Sequence, residues 1–163
     1  MYRFVKFDHS PYLANQGRLA DVIAAIQALG NYKFYKCDFA EWADRISGER
    51  SQMNHWRKVF EDHPEFFRLD SRREKASLVW RRQHPKLFAV DIGETITRSE
   101  FNDLSSEQKS RISRLPLSSS EMATLIEAAI NLHSRALENK KDQRWLITAL
   151  IGLAGVLLGA VVS

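Results

Sequence analysis

Apolar residues return at three- and four-residue steps through Leu19, Val22, Ile23, Ile26 and Leu29, which places them on one face of a helix. That helix is expected to begin near Asn15 or Gly17 and to stop at Gly30. Tyr32 to Tyr35 reads as a short aromatic strand. Asp38 and Glu41 have capping-box spacing, so a second helix follows, with Phe39, Trp42, Ala43 and Ile46 inward and Gly48 as its stop. Ser51 is expected to cap a third helix that runs through Met53, Trp56, Val59 and Phe60 to His63, where Pro64 halts it. Glu65–Leu69 and Ala76–Arg82 then read as two strands around the polar turn Asp70–Lys75.

The second half is patterned differently. Phe88 to Thr95 reads as a short strand and turn, and Ser99–Leu104 as a turn of helix. Ser105 to Gln108 opens a further helical segment carrying Ile112 and Leu115. Serines are frequent here, yet apolar residues persist, so the region is expected to be an ordered connector rather than a free linker. Ser118 and Glu121 fit a capping box for a long helix over 119–144. Its apolar stripe is Met122, Leu125, Ile126, Ala129, Ile130, His133, Ala136 and Leu137.

The final stretch, WLITALIGLAGVLLGAVV, runs from Trp145 to Val162 with Thr148 as its one clearly polar residue. Eighteen residues at 1.5 Å each span roughly 27 Å, enough for one crossing of a bilayer core. Lys140, Lys141 and Arg144 sit just before it, with Trp145 at the boundary. Those cations favour a cytoplasmic location for that side, and the tryptophan suits the membrane interface. Gly152, Gly155 and Gly159 offer a small-residue surface for close helix packing, with Gly155 and Gly159 forming a GxxxG pair.

The expected class is therefore α+β and mainly helical. Residues 1–90 form a first domain, 91–118 an ordered connector, 119–144 an amphipathic helix and 145–162 a single transmembrane helix. The order helix, short strand, helix, helix and charged-tip hairpin resembles a winged-helix domain over residues 15–84. That resemblance implies a recognition position for the helix at 51–63 and a wing at 70–75. Trp42, Trp56, Phe60, Phe67 and Trp80 are expected to fill the core of such a domain.

Charge changes the picture modestly. The chain carries +4 overall. Residues 1–90 hold 16 Lys/Arg against 11 Asp/Glu, or +5, while residues 91–144 hold 8 against 9, or −1. Arg50, Gln52, Asn54, Arg57, Lys58, Arg72, Arg73 and Lys75 form the candidate surface for a partner or for nucleic acid. Arg68, Arg81 and Arg82 add cations on the hairpin. Glu61, Asp62, Glu65, Asp70 and Glu74 share that surface, which favours a protein partner over a phosphate backbone.

Catalytic chemistry does not assemble along the chain. The histidines, at 9, 55, 63, 84 and 133, are scattered. Cys37 is the single cysteine, which excludes thiolate zinc motifs and fits a reducing compartment. Asp91-Ile92-Gly93-Glu94-Thr95 resembles the DxGxT opening of sugar-kinase and actin-like ATPases, and more faintly that of haloacid-dehalogenase-type phosphatases. Both folds require far more α/β chain than follows. No enzyme activity, cofactor or metal is expected.

Met1 to Ala14 has no apolar run and no small-residue cleavage site, so the N-terminal domain is expected to stay cytoplasmic. The function expected is a single-pass, membrane-tethered adaptor or scaffold that presents an interaction domain to a protein partner. Lateral homo-oligomerisation would be its second activity. Two alternatives stand beside it: a membrane-anchored nucleic-acid-binding regulator, and a small defence or toxin-like effector that clusters in the bilayer.

Overall fold

The computed structural model of the chain describes residues 10–162. Within its last helix, the side chains of Gln143, Leu146 and residues 149–162 lie outside that description. The fold is mainly helical with two small antiparallel sheets, an α+β arrangement.

After a 3-10 turn at Pro11–Leu13, the first unit comprises α1 (Arg18–Asn31), β1 (Lys36–Asp38), α2 (Phe39–Ser47), α3 (Met53–Asp62), β2 (Phe67–Leu69) and β3 (Lys75–Leu78). The sheet order is β1-β3-β2, with Lys36 and Arg68 both opposite Ser77. Local chemistry explains the ends of α2. The Asp38 carboxylate accepts the Glu41 N–H at 2.8 Å, and Gly48 takes the left-handed conformation, φ 75°, that a side chain would strain.

The three helices bury Ile26, Leu29, Trp42, Val59 and Phe60 against Phe67, Ala76 and Leu78 on the inner face of the sheet. Trp42 satisfies its indole by donating to the Ala76 carbonyl at 3.0 Å. Phe60 meets Phe67 edge-on at 5.1 Å between ring centres.

Several local expectations are corrected. Tyr32–Tyr35 is a bend, and the strand lies one step later, where Cys37 turns inward opposite Ala76. The Tyr32 ring packs edge-on against Trp42, and the Tyr32 and Lys33 carbonyls turn toward Arg81 rather than toward a ladder. Gly30 lies inside α1, buried, where it lets another helix come close. Ser51 does not cap α3, which is entered through a 3-10 turn at Arg50–Gln52, and Met53 is exposed.

Trp80 is half-buried rather than core, because β3 ends at Leu78 and the chain enters a 3-10 turn at Trp80–Gln83. That turn swings Arg81 inward instead of leaving it on the hairpin surface. Arg81 is fully buried.

A second sheet, ordered β5-β4-β6, joins β4 (Phe88–Ala89), β5 (Glu94–Thr95) and β6 (Ile112–Ser113). Between β5 and β6 lie α4 (Arg98–Asp103) and α5 (Ser106–Ser110), each opened by a reciprocal capping box, Thr97 with Glu100 and Ser105 with Gln108. Ile112 is therefore a strand residue and not helical, pairing with Ala89.

The last element, α6, spans Ser119–Val162 and opens with the expected box, Ser118 with Glu121. It docks on α1 and on the first 3-10 turn, burying Ala129 and Ala136. Ile130 and Leu137, expected on the packed face, are exposed. Among the described residues no helix is long and apolar enough to cross a membrane. The expected membrane-spanning stretch, 145–162, falls largely on side chains outside the described residues.

Candidate interaction surface

The α3 face and the turn after β2 carry most of the cations singled out from sequence, and a carboxylate sits in their midst. Arg57 Nε donates to Glu61 Oε1 at 3.1 Å, and Arg73 Nη2 donates to the same oxygen at 2.9 Å. The first pair is one helical turn apart, and the second closes the tip of the hairpin onto α3. Hydrogen bonds from Arg73 and then Arg57 hold the Glu61 carboxyl below its ordinary range. The Arg57 guanidinium also lies 5.6 Å from the Phe39 ring centre.

Lys58 pairs with Asp62, which is also 3.5 Å from the buried Arg18. Gln52 is turned back to Glu49 at 2.7 Å. Arg50, Asn54, Arg72 and Lys75 are exposed. The Lys75 N–H and that of Glu74 donate to the Asp70 carboxylate, an arrangement that organises the turn. Arg73 there has φ 56°, an uncommon conformation for a residue with a side chain. The surface is thus a mosaic: three of its six cations, Arg57, Lys58 and Arg73, are matched to Glu61 or Asp62.

Arg81 is spent on the fold. Nε donates to the Leu115 carbonyl, Nη1 to Leu29 and Tyr32, and Nη2 to Lys33 and Arg114. All five guanidinium donors are used. Burial pushes this group down to about 10. Such a residue is unavailable to a partner.

At the far end, Lys140, Lys141, Arg144 and Trp145 are exposed on α6, Trp145 to 71%. Gly152, Gly155 and Gly159 fall in α6, in the part whose packing lies outside the description.

The described histidines serve packing and polar pairing. His55 meets Asp21 at 3.2 Å and His84 meets Glu121 at 3.2 Å. His63 is buried, bonded to Glu65 at 3.0 Å and packed edge-on against Tyr12, whose hydroxyl donates to the same Glu65 oxygen. Burial alone would raise the Glu65 carboxyl, but the hydrogen bonds from His63, its own backbone and Tyr12 outweigh it. Among the described residues, no group of three His, Cys, Asp or Glu side chains converges as a metal site. Cys37 is buried, and burial followed by the nearby Glu41 pushes its thiol up to about 12, so it is no nucleophile at neutral pH.

Sequence reasoning missed Lys36. It stands on the outer face of the first sheet, level with Arg68. The period-two alternation of Lys36, Cys37 and Asp38 carries that signal once the strand is placed correctly. No protein-family model matches the chain, and no curated protein or solved structure matches it either.

Proposed function

We propose that this chain is a membrane-tethered adaptor. It presents a winged-helix-like module on the cytoplasmic side and is anchored by the apolar stretch 145–162. The module reading is supported by the order α1-β1-α2-α3-β2-β3 and by the sheet order β1-β3-β2. The anchor reading is supported by the uninterrupted apolar run and by Lys140, Lys141, Arg144 and Trp145 in front of it.

The observation that favours a protein partner over nucleic acid is Glu61 between Arg57 and Arg73. A helix that tracks a phosphate backbone keeps its guanidinium groups free for phosphate. Here two of them converge on one carboxylate, and a phosphate approaching either would face that charge. An interleaved surface of this kind suits protein contacts.

The experiment is a pull-down of the detergent-solubilised full chain, with half the sample treated with nuclease. A protein partner that persists after nuclease is the expected result. Loss of every partner on nuclease treatment would move the reading to a nucleic-acid regulator.

A further inference from the structure

We propose that the outer face of the first sheet, at Lys36, Arg68 and Arg82, docks an acidic, extended segment of a protein partner alongside β2. This deepens the adaptor reading and rests on it. A groove of about 660 Å³ runs over this face and round the edge of β2, with Tyr35, Pro64 and, from the opposite face of β2, Leu69 among its walls. Lys36 and Arg68 flank Ser77 on one rung of the sheet, so their backbones are about 10 Å apart and their side chains share a face. Arg82 reaches the same groove from the 3-10 turn that follows β3.

These three cations make no ion pair among the described residues. The groove has two acids, and both are engaged. Glu61 holds Arg57 and Arg73, and the Asp70 carboxylate accepts the N–H groups of Glu74 and Lys75 at 2.9 and 3.2 Å. Backbone donors leave the Asp70 charge in place, and it acts on Lys36, but Lys36, Arg68, Arg73 and Arg82 outnumber the two carboxylates, so the groove keeps a net positive charge.

Two features select a peptide as the occupant. First, β2 is an edge strand; the Phe67 N–H on its outer side donates to the His63 carbonyl, which leaves the backbone beside Leu69 for another strand. Second, Pro64 and Leu69 line the groove at the β2 edge, Leu69 on the opposite face of the strand from Arg68. An extended chain alternating acidic and apolar side chains turns its acids toward Arg68 and its apolar groups toward Leu69 and Pro64, whereas a phosphate backbone has nothing to set against the apolar walls or the strand edge.

The test uses the full chain in detergent micelles and a fluorescein-labelled ten-residue peptide alternating glutamate and valine. Anisotropy titrations should give saturable binding that weakens with salt, and an alternating lysine–valine peptide should not bind. Arg68→Glu with Arg82→Glu should weaken the glutamate peptide by about tenfold or more. The milder Arg68→Gln with Arg82→Gln should weaken it less, and Arg98→Glu, on the exposed face of α4, should leave it unchanged.

Thermal melts of each variant keep the comparison to folded protein, and the glutamine pair decides if the charge reversal melts early. The proposal is overturned by absent or unsaturable binding, or by binding indifferent to both pairs of variants. Equal competition by an oligothymidylate of the same charge would also overturn it, marking a general polyanion surface. In the pull-down, a nuclease-resistant partner that stays on the Arg68→Glu/Arg82→Glu chain overturns this groove and leaves the adaptor standing. Absence of any nuclease-resistant partner overturns the adaptor reading itself.

Discussion

Arg81 donates through Nη1 to the Leu29 carbonyl at 2.8 Å, capping the C-terminal end of α1 with a buried cation. The same guanidinium reaches Leu115 and Arg114, the residues that lead into α6. One side chain thus ties the first helix to the segment that delivers the last. The negative end of the α1 dipole offsets part of the cost of burying the charge.

Arg81→Leu leaves five carbonyls without their donor. Each buried group left unpaired costs about 1–3 kcal/mol, so a total loss of several kcal/mol is expected. Arg81→Lys should not rescue it, because an ammonium offers three donors on a single point where a planar fork supplies five. Thermal unfolding of the full chain in micelles, followed by tryptophan fluorescence, checks both. A lysine variant as stable as the parent would mean that the fork geometry is not needed.

Trp42 is fully buried and bonded to Ala76. Trp42→Ala should cost roughly 3–5 kcal/mol, the range for large aromatic truncations in cores. Trp42→Phe should cost less, since most of the packing survives and only the indole hydrogen bond is lost. The same melts would rank the two, and equal losses would show that the hydrogen bond outweighs the packing.

A Cβ at Gly30 would lie 3.1 Å from Met122 Sδ and 3.2 Å from its Cγ. Methionine is adaptable, and alanine gains about 1 kcal/mol of helix propensity over glycine, so Gly30→Ala should change stability little. Gly30→Leu should push α6 off α1, and adding Met122→Ala should recover part of the loss. Hydrogen exchange along residues 119–137 reads the docking directly. Unchanged protection in Gly30→Leu would contradict the close approach.

How far the sequence speaks depends on the range of the interaction. Asp38 and Gly48 bound α2 as expected, because capping and left-handed turns are settled within four residues. Ser118 with Glu121 opens α6 for the same reason. The stop expected at Gly30 falls one residue short of the end of α1, because the role of Gly30 depends on Met122, which is remote in the chain. Arg81, between Trp80 and Arg82, looks like any hairpin cation. Its burial is legible only after the carbonyls at the end of α1 are asked for a donor. The candidate surface divides in the same way: Arg57 with Glu61 is an i, i+4 pair visible in the sequence, whereas Arg73 reaches Glu61 only through the hairpin.

Glu61 gives a pH-dependent prediction. Its folded pKa is depressed, first by Arg73 and then by Arg57. Its contribution is therefore complete above the ordinary carboxylate value and is lost as pH falls through the lower folded value. The stability gap between the parent and Glu61→Gln should narrow in acid, from no more than about 1 kcal/mol at neutral pH, since the pair is at the surface. Glu61→Gln should also strengthen duplex-DNA binding at low salt by freeing two guanidinium groups. A gap that is constant with pH would show that the ion pairs contribute nothing.

The anchor carries the central claim, and alkaline carbonate extraction of membranes tests it most directly. The full chain should stay in the washed pellet, and a chain ending at Arg144 should move to the supernatant, because 145–162 can satisfy its backbone in hydrocarbon only as a helix. Release of the full chain by carbonate, or retention of the shortened one, would contradict a membrane tether at 145–162.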